Sequence, residues 1–125
     1  MAHFAEVNDN NLVIRVLVVP DEQEHRGQEY LANDLGLGGR WIQCSYNHKI
    51  RKRFPSPDYS YDPTADVFIA PRKFESWYLD ENFEWQPPIP YPTDGEDYFW
   101  DETSRSWKTF DEMAKMDVWN FNKYK

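Results

Sequence analysis

The sequence is poor in cysteine and has no long apolar run. Cys44 is the single cysteine, so an intrachain disulfide is excluded, and its place in an apolar, strand-like stretch predicts a buried, inert thiol. No stretch approaches the ~18–20 apolar residues of a membrane span. Residues 1–10 lack the basic and apolar regions of a signal peptide. We therefore expect a soluble protein that is made in a reducing cytoplasm, is not secreted by a signal peptide and does not bind a membrane.

Positive charge is also scarce. The chain has 14 Lys and Arg against 22 Asp and Glu, a net charge of −8, and residues 58–112 hold 14 acidic and 4 basic side chains. The chief basic run, residues 48–53, is short. Binding to nucleic acid or to an anionic membrane needs a broad cationic face, so we predict neither partner.

The residues of common catalytic and metal sites do not occur in the spacings those sites need. The three histidines lie in unrelated contexts: His3, His25 and His48. Cys44 has no basic neighbour in sequence that would activate a thiolate, and no serine lies in a nucleophile-elbow motif. Carboxylate pairs such as Asp62 and Asp66 lack the ligand pattern of a calcium loop. We predict no enzyme activity, no catalytic residue, no cofactor and no metal site.

Aromatic residues are abundant: 6 Trp, 8 Tyr and 8 Phe. Each buries about 150–250 Å², so a few of them can replace many aliphatic residues in a small core. Aliphatic residues are concentrated in residues 12–19. The core is therefore expected to be aliphatic near the N-terminus and aromatic elsewhere.

The N-terminal part predicts a hairpin, a short helix and a strand. Residues 3–7 and 12–19 flank a turn containing Asp9, and the second strand, apolar on both faces except at Arg15, is expected to be central and covered on each side. A short surface helix is predicted over about residues 22–35, with Asp21 as N-cap, Glu24 completing a capping box and Gly36 at its end. Residues 40–46 then alternate as a strand, with Trp41, Gln43 and Ser45 on one face and Ile42, Cys44 and Tyr46 on the other.

An internal repeat follows, in which a large apolar residue and an Asp precede a polar turn and a second large residue. The three copies are Tyr61-Asp62 with Phe68, Leu79-Asp80 with Trp85, and Trp100-Asp101 with Trp107. In each, the Asp is expected to accept turn N–H groups and the large residues to face each other across two strands. Proline-rich connectors separate the copies. The predicted fold is α+β but mostly β: antiparallel hairpins in series, one short helix, and a C-terminal helix as an option. Residues 1–110 form the predicted single domain.

The tail, residues 111–125, spaces Met113, Met116 and Trp119 three residues apart. That spacing suits either a helix packed on its own domain or an arm that docks on a neighbouring molecule, and both interpretations stay open. Four aromatic residues lie outside the hairpin-closing positions: Trp77, Tyr78, Tyr91 and Tyr98. With the three tail residues they form the predicted contact surface.

Several motifs together resemble a known family. They are Phe4-Ala5-Glu6-Val7-Asn8, Asn11, Val13, Arg15-Val16, Gly39-Arg40-Trp41-Ile42-Gln43, Ser45-Tyr46-Asn47, Arg51-Lys52, Tyr61-Asp62, Phe68-Ile69, Pro71, Phe74, Ser76-Trp77, Leu79, Trp85, Pro87, Pro90, Pro92, Asp94-Gly95 and Trp100-Asp101-Glu102. Over about residues 3–108 the chain resembles a family of small proteins encoded by marine tailed phages, cyanophages among them. The family has no established enzyme activity, and the tail after Trp107 is not part of its pattern.

The resemblance implies a phage origin and a place in the virion. We expect a non-enzymatic structural protein that decorates or cements the capsid. Its partners would be other virion proteins, either the major capsid protein or tail proteins, or further copies of itself. A tail or tail-fibre component is the first alternative. A host-glycan binding module, with aligned aromatic rings, is the second.

Overall fold

The computed structural model describes residues 1–115. Internal contacts divide the chain into two compact units, Met1–Pro71 and Arg72–Lys125. The division falls inside the span 1–110 that the sequence predicts as a single domain, and that domain assignment stays a prediction. Each unit is described by itself below.

The predicted fold class is confirmed: antiparallel hairpin sheets dominate, with short helical segments. The strands of the first unit are β1 (Ala2–Val7), β2 (Val13–Val19), β3 (Arg40–Cys44), β4 (Ser60–Asp62) and β5 (Val67–Ile69). Those of the second are β6 (Tyr78–Leu79), β7 (Trp85–Gln86), β8 (Tyr98–Asp101) and β9 (Ser106–Thr109). Residues 110–115 are helical. Within residues 1–115, no helix has the length and apolar character needed to cross a membrane.

The first unit is built on a three-stranded antiparallel sheet with the order β2-β1-β3. The prediction that the apolar strand β2 is central was wrong, because β1 occupies that position. On β2, Ile14 and Val18 remain 48% and 49% exposed. Part of the β2 edge is nevertheless paired, since Val13 N–H donates to the Tyr59 carbonyl at 2.8 Å.

Both faces of this sheet are covered. One face packs against the helical segment, residues 21–34, in a cluster of Ala2, Phe4, Val19, Leu31 and Trp41. The other packs against the β4–β5 hairpin in a cluster of Ala5, Val7, Val13, Cys44, Tyr61 and Phe68. The predicted alternation along β3 is confirmed, because Trp41 and Cys44 contribute to opposite clusters.

The helical segment 21–34 is irregular. It consists of a 3-10 helix (Asp21–Arg26), one α-helical turn, α1 (Gly27–Glu29), and a π-helix (Tyr30–Asp34). The predicted cap was wrong: Pro20 occupies the N-cap position without a side-chain bond, and the Asp21 carboxylate pairs with the N-terminal amine of Met1. Gly36 follows the segment at φ +71°, as expected for a left-handed end.

Gly27 allows the helical segment to approach the sheet. A Cβ at this position would lie 2.1 Å from Cζ of the buried Phe4 ring. Such a distance is far inside van der Waals contact, so the ring or the helical segment would have to move. Glycine has a low helix propensity, but at this position it is required for close packing on the sheet.

The hairpin turns share one arrangement. Asp62 Oδ1 accepts the N–H groups of Thr64 (2.9 Å) and Ala65 (3.1 Å). Asp80 Oδ1 accepts those of Asn82 (2.8 Å) and Glu84 (2.9 Å). Asp101 Oδ2 accepts the N–H group of Ser104 (3.3 Å). Each turn closes on a non-glycine residue with positive φ: Asp66, Phe83 and Arg105. The turn role predicted for the three Asp residues matches this geometry.

The first hairpin has the same arrangement, with an Asn in place of the Asp. Asn8, not Asp9, accepts the N–H groups of Asn10 (2.9 Å) and Leu12 (3.0 Å) through Oδ1. Asn11 closes the turn at φ +62°.

The register places the large residues of each repeat opposite one another. The pairs are Tyr61 with Phe68, Leu79 with Trp85, and Trp100 with Trp107. The rings of the first pair lie 5.3 Å apart and those of the third 5.2 Å apart. At such distances aromatic pairs add about 0.5–1.5 kcal/mol beyond area burial.

Gly27→Ala is expected to lower the free energy of unfolding by about 1–3 kcal/mol, because overpacking outweighs the gain in helix propensity. Urea unfolding followed by circular dichroism measures the change, and Glu22→Ala, at an exposed position of the same segment, is the control. An unchanged or increased stability would contradict the packing role of Gly27.

Asp62→Ala is expected to destabilise the first unit by about 1 kcal/mol, since two turn N–H groups lose their acceptor. Asp62→Asn keeps an acceptor oxygen at Oδ1 and should lose much less. Thermal unfolding of the two variants side by side tests the turn, and equal losses would show that charge rather than N–H acceptance matters.

Candidate binding groove of the second unit

The second unit is organised by aromatic rings contributed by three segments. The cross-strand pair Trp100 and Trp107 meets at an interplanar angle of 74°. Trp77 lies against both rings, with centroid distances of 6.0 and 6.4 Å, and Phe74 packs on Trp77 at 5.4 Å. Trp100 is buried and the other three are half-buried. Much of this ring cluster therefore lies at the surface.

Hydrogen bonds to one carboxylate connect the segment that contains Trp77 to the β8–β9 hairpin. Glu102 accepts hydrogen bonds from Ser76 Oγ (2.6 Å), the Ser76 N–H (3.0 Å) and Trp100 Nε1 (2.8 Å). The Ser76 hydroxyl, and after it the Trp100 indole, lowers the pKa of Glu102 below its usual value. The Trp77 indole nitrogen, by contrast, is shielded from solvent and has no hydrogen-bond partner among residues 1–115. Packing of its ring therefore holds the Trp77 side chain.

The proline-rich connector is fixed to the same hairpin. Trp107 Nε1 donates to the Ile89 carbonyl at 2.8 Å, and Tyr91 packs edge-on against Trp107 with centroids 4.9 Å apart. The Tyr91 hydroxyl accepts the Tyr98 N–H at 2.9 Å. These bonds hold the connector against the Trp107 ring.

Tyr98 continues this network to a carboxylate. Its hydroxyl donates to Asp94 Oδ2 at 2.6 Å. The charge-assisted bond stabilises the phenol and the carboxylate together, so it raises the pKa of Tyr98 to about 12 and lowers the pKa of Asp94.

A groove of about 440 Å³ opens between these elements. Its lining is aromatic, proline and amide: Trp77, Tyr78, Trp85, Gln86, Pro87, Pro90, Tyr91 and Trp107. Tyr78 and Tyr91 are 55% and 46% exposed. We call this the aromatic groove. A second hollow of about 450 Å³ is lined by Lys73, Phe74, Trp77, Tyr98, Phe99, Trp100 and Trp107.

The structure brings three of the seven predicted contact residues together in one groove. Trp77, Tyr78 and Tyr91 line the aromatic groove, whereas Tyr98 lines the second hollow. Met113 is partly exposed in the helical residues 110–115. Met116 and Trp119 lie outside the described residues.

The sequence prediction did not include five groove residues: Trp85, Gln86, Pro87, Pro90 and Trp107. The two tryptophans were assigned to hairpin pairing and the prolines to a spacer. A detectable signal was the run of prolines that begins two residues after Trp85, because proline and indole rings so close in sequence can form one apolar wall.

The first unit has a hollow of about 480 Å³ whose lining includes His3, Cys44, Tyr46 and Lys49. Cys44 is buried, and loss of solvation raises the pKa of its thiol to about 12. At neutral pH it is a thiol and not a nucleophilic thiolate. In the described part of the chain, residues 1–115, no group of three or more His, Cys, Asp or Glu is placed to hold a metal ion.

No protein-family model, curated protein or solved structure matches the chain. The resemblance to marine tailed-phage proteins therefore stays a prediction.

Tyr98→Phe is expected to raise the pKa of Asp94 toward 3.8, because the phenol is the largest cause of its depression. A depressed carboxyl pKa stabilises the fold above the unfolded-state pKa, and that contribution is lost as pH falls through the folded-state value. The stability difference from the native chain should therefore be present at neutral pH and vanish in acid.

NMR titration of the Asp94 carboxyl carbon measures this change, and Tyr78→Phe is the control, since no bond joins its hydroxyl to Asp94. An Asp94 midpoint that is equal in the native chain and in Tyr98→Phe would show that this bond does not form in solution.

Proposed function

We propose that the chain is a non-enzymatic structural protein of a tailed-phage virion, a capsid decoration or cement protein that attaches to other virion proteins through the aromatic groove. The observation that carries the binding role is the pair of half-exposed rings of Tyr78 and Tyr91. They lie in the same groove as Trp107, whose ring packs against Tyr91 and is held by a hydrogen bond to the backbone. The virion role draws its support from the sequence resemblance.

The composition of the groove favours a protein partner. Tyr and Trp are enriched among the residues that contribute most to protein–protein binding, particularly in well-packed central pockets. A stable interface buries about 1,200–2,000 Å² in total. The groove alone is too small for that area, so neighbouring hairpin surfaces must also contribute.

Preorganisation favours the same role. Trp107 and Tyr91 are positioned by hydrogen bonds to the backbone of Ile89 and Tyr98. Side chains that are already fixed lose little entropy on association, so more of the contact energy appears as affinity. Surface rings held in this way suit an attachment site.

The glycan alternative has less support. Sugar binding combines ring stacking with several directed hydrogen bonds, but three polar groups of the groove already bond within the chain. Gln86 Nε2 donates to Asp80 at 2.9 Å, Trp107 Nε1 to Ile89, and the Tyr91 hydroxyl accepts from Tyr98. The groove therefore offers ring surfaces more than free donors and acceptors.

Quantitative mass spectrometry of purified particles of a phage that encodes this chain tests the virion role. Hundreds of copies per particle are expected for a capsid decoration protein, whereas a few copies would place it in the tail. Absence from the particles would remove the virion proposal.

Rebinding of the recombinant chain to particles from which it has been removed tests the surface. Tyr78→Ala should reduce occupancy about tenfold, which is the loss of a single strong contact. Tyr46→Ala replaces a tyrosine that is 75% exposed and does not line the groove, so it should bind as the native chain does. Equal binding by both variants would contradict attachment through the aromatic groove.

A further inference from the structure

The walls of the aromatic groove offer flat apolar surfaces. Five aromatic rings line it, that of Tyr78 among them, and Pro87 and Pro90 add two more apolar walls. Proline rings pack well against aromatic faces, and a proline-rich segment is already extended before it binds, so it loses little conformational entropy. Extended proline-rich peptides are therefore well matched to such walls.

The part of the chain that forms the groove is acidic. Residues 72–115 contain 11 acidic and 5 basic side chains. Glu84 directly precedes Trp85, and Glu81 lies in the same hairpin turn. Near Tyr91, the carboxylates of Asp94 and Glu96 follow the connector. This excess of negative charge favours a ligand whose flanking residues are cationic.

The chain itself shows that a ring of this groove attracts a cation. The Arg72 guanidinium lies 4.8 Å from the centre of the Trp85 ring. Such cation–π contacts form because the ring face is electron-rich, and guanidinium loses little hydration in making them. A basic residue of a ligand can use the same property of the neighbouring rings.

We infer that the aromatic groove binds an extended proline-rich segment of a partner protein, flanked by arginine or lysine. This inference rests on the proposed function, because it names the chemistry of the partner at the same attachment surface. The prolines fill the ring-lined part, and the basic residues lie against the carboxylates around it.

The test uses the full chain and a fluorescent synthetic peptide with a Pro-Pro-Leu-Pro-Pro core and two arginines at one end. Fluorescence anisotropy should show saturable binding that weakens as sodium chloride is raised, since the salt screens the flanking charges. Two matched peptides are compared, one with every proline replaced by alanine and one with both arginines replaced by glutamine. Each of these two peptides should bind at least about tenfold more weakly than the original peptide.

Two sets of variants locate the binding. Tyr78→Ala should weaken the peptide about tenfold, and Tyr46→Ala should leave it unchanged, with near-ultraviolet circular dichroism showing that both are folded. The double variant Glu81→Gln, Glu84→Gln should weaken the arginine peptide but not its glutamine counterpart, because only the former carries the charge that those carboxylates attract.

Absence of saturable binding, or equal binding of the proline and alanine peptides, would overturn the inference. Binding of chitotetraose or cellohexaose that depends on Tyr78, without binding of the peptide, would overturn it in favour of a glycan. If the peptide fails while Tyr78→Ala still loses attachment to particles, only the chemistry of the partner is wrong. If the peptide binds but the chain is absent from particles, the virion proposal is wrong and the inference about the peptide stands.

Discussion

Most of the structure depends on one interaction, which is repeated in each hairpin turn. An Asn or Asp side chain at the start of the turn accepts hydrogen bonds from backbone N–H groups. The strands β4 to β9 are two to four residues long, and strands so short do not hold a register by ladder bonds alone. The side chains of Asn8, Asp62, Asp80 and Asp101 fix where each chain reversal begins. Only with that start fixed do the large residues on either side meet, and the ring cluster of the second unit follows from it.

What the sequence predicts well is local. The Asp-initiated repeat gave the three hairpins with the correct cross-strand pairs, because the turn and its flanking residues lie within eight positions of one another. The features that were wrong depend on distant groups. Asp21 has the sequence of a helix cap but pairs with the amine of Met1, and the apolar strand β2 is an edge strand because β1 pairs on both sides. Neither partner is visible in the local sequence.

The site was predicted in part for the same reason. Tyr78 and Tyr91 could be singled out because they occupy no hairpin-closing position, and they do line the aromatic groove. Trp85 and Trp107 were missed because a sequence pattern assigns each residue a single role. An indole has two faces and an edge, so one ring can pair across its hairpin and also form the wall of a groove. Deciding this requires the positions of the surrounding rings.

The distribution of tryptophan has a practical consequence. Trp41 is the only tryptophan before residue 72, and the other five lie after it. Tryptophan fluorescence is thus an optical signal that belongs almost wholly to one unit, and replacing Trp41 by Phe would make it entirely so. The indoles of Trp100 and Trp107, with centroids 5.2 Å apart, are also close enough to couple their electronic transitions. Because Trp77 lies 6.0 and 6.4 Å from the same two rings, the circular dichroism of that coupling would record the assembly of the tryptophan cluster, while the emission spectrum follows the whole unit.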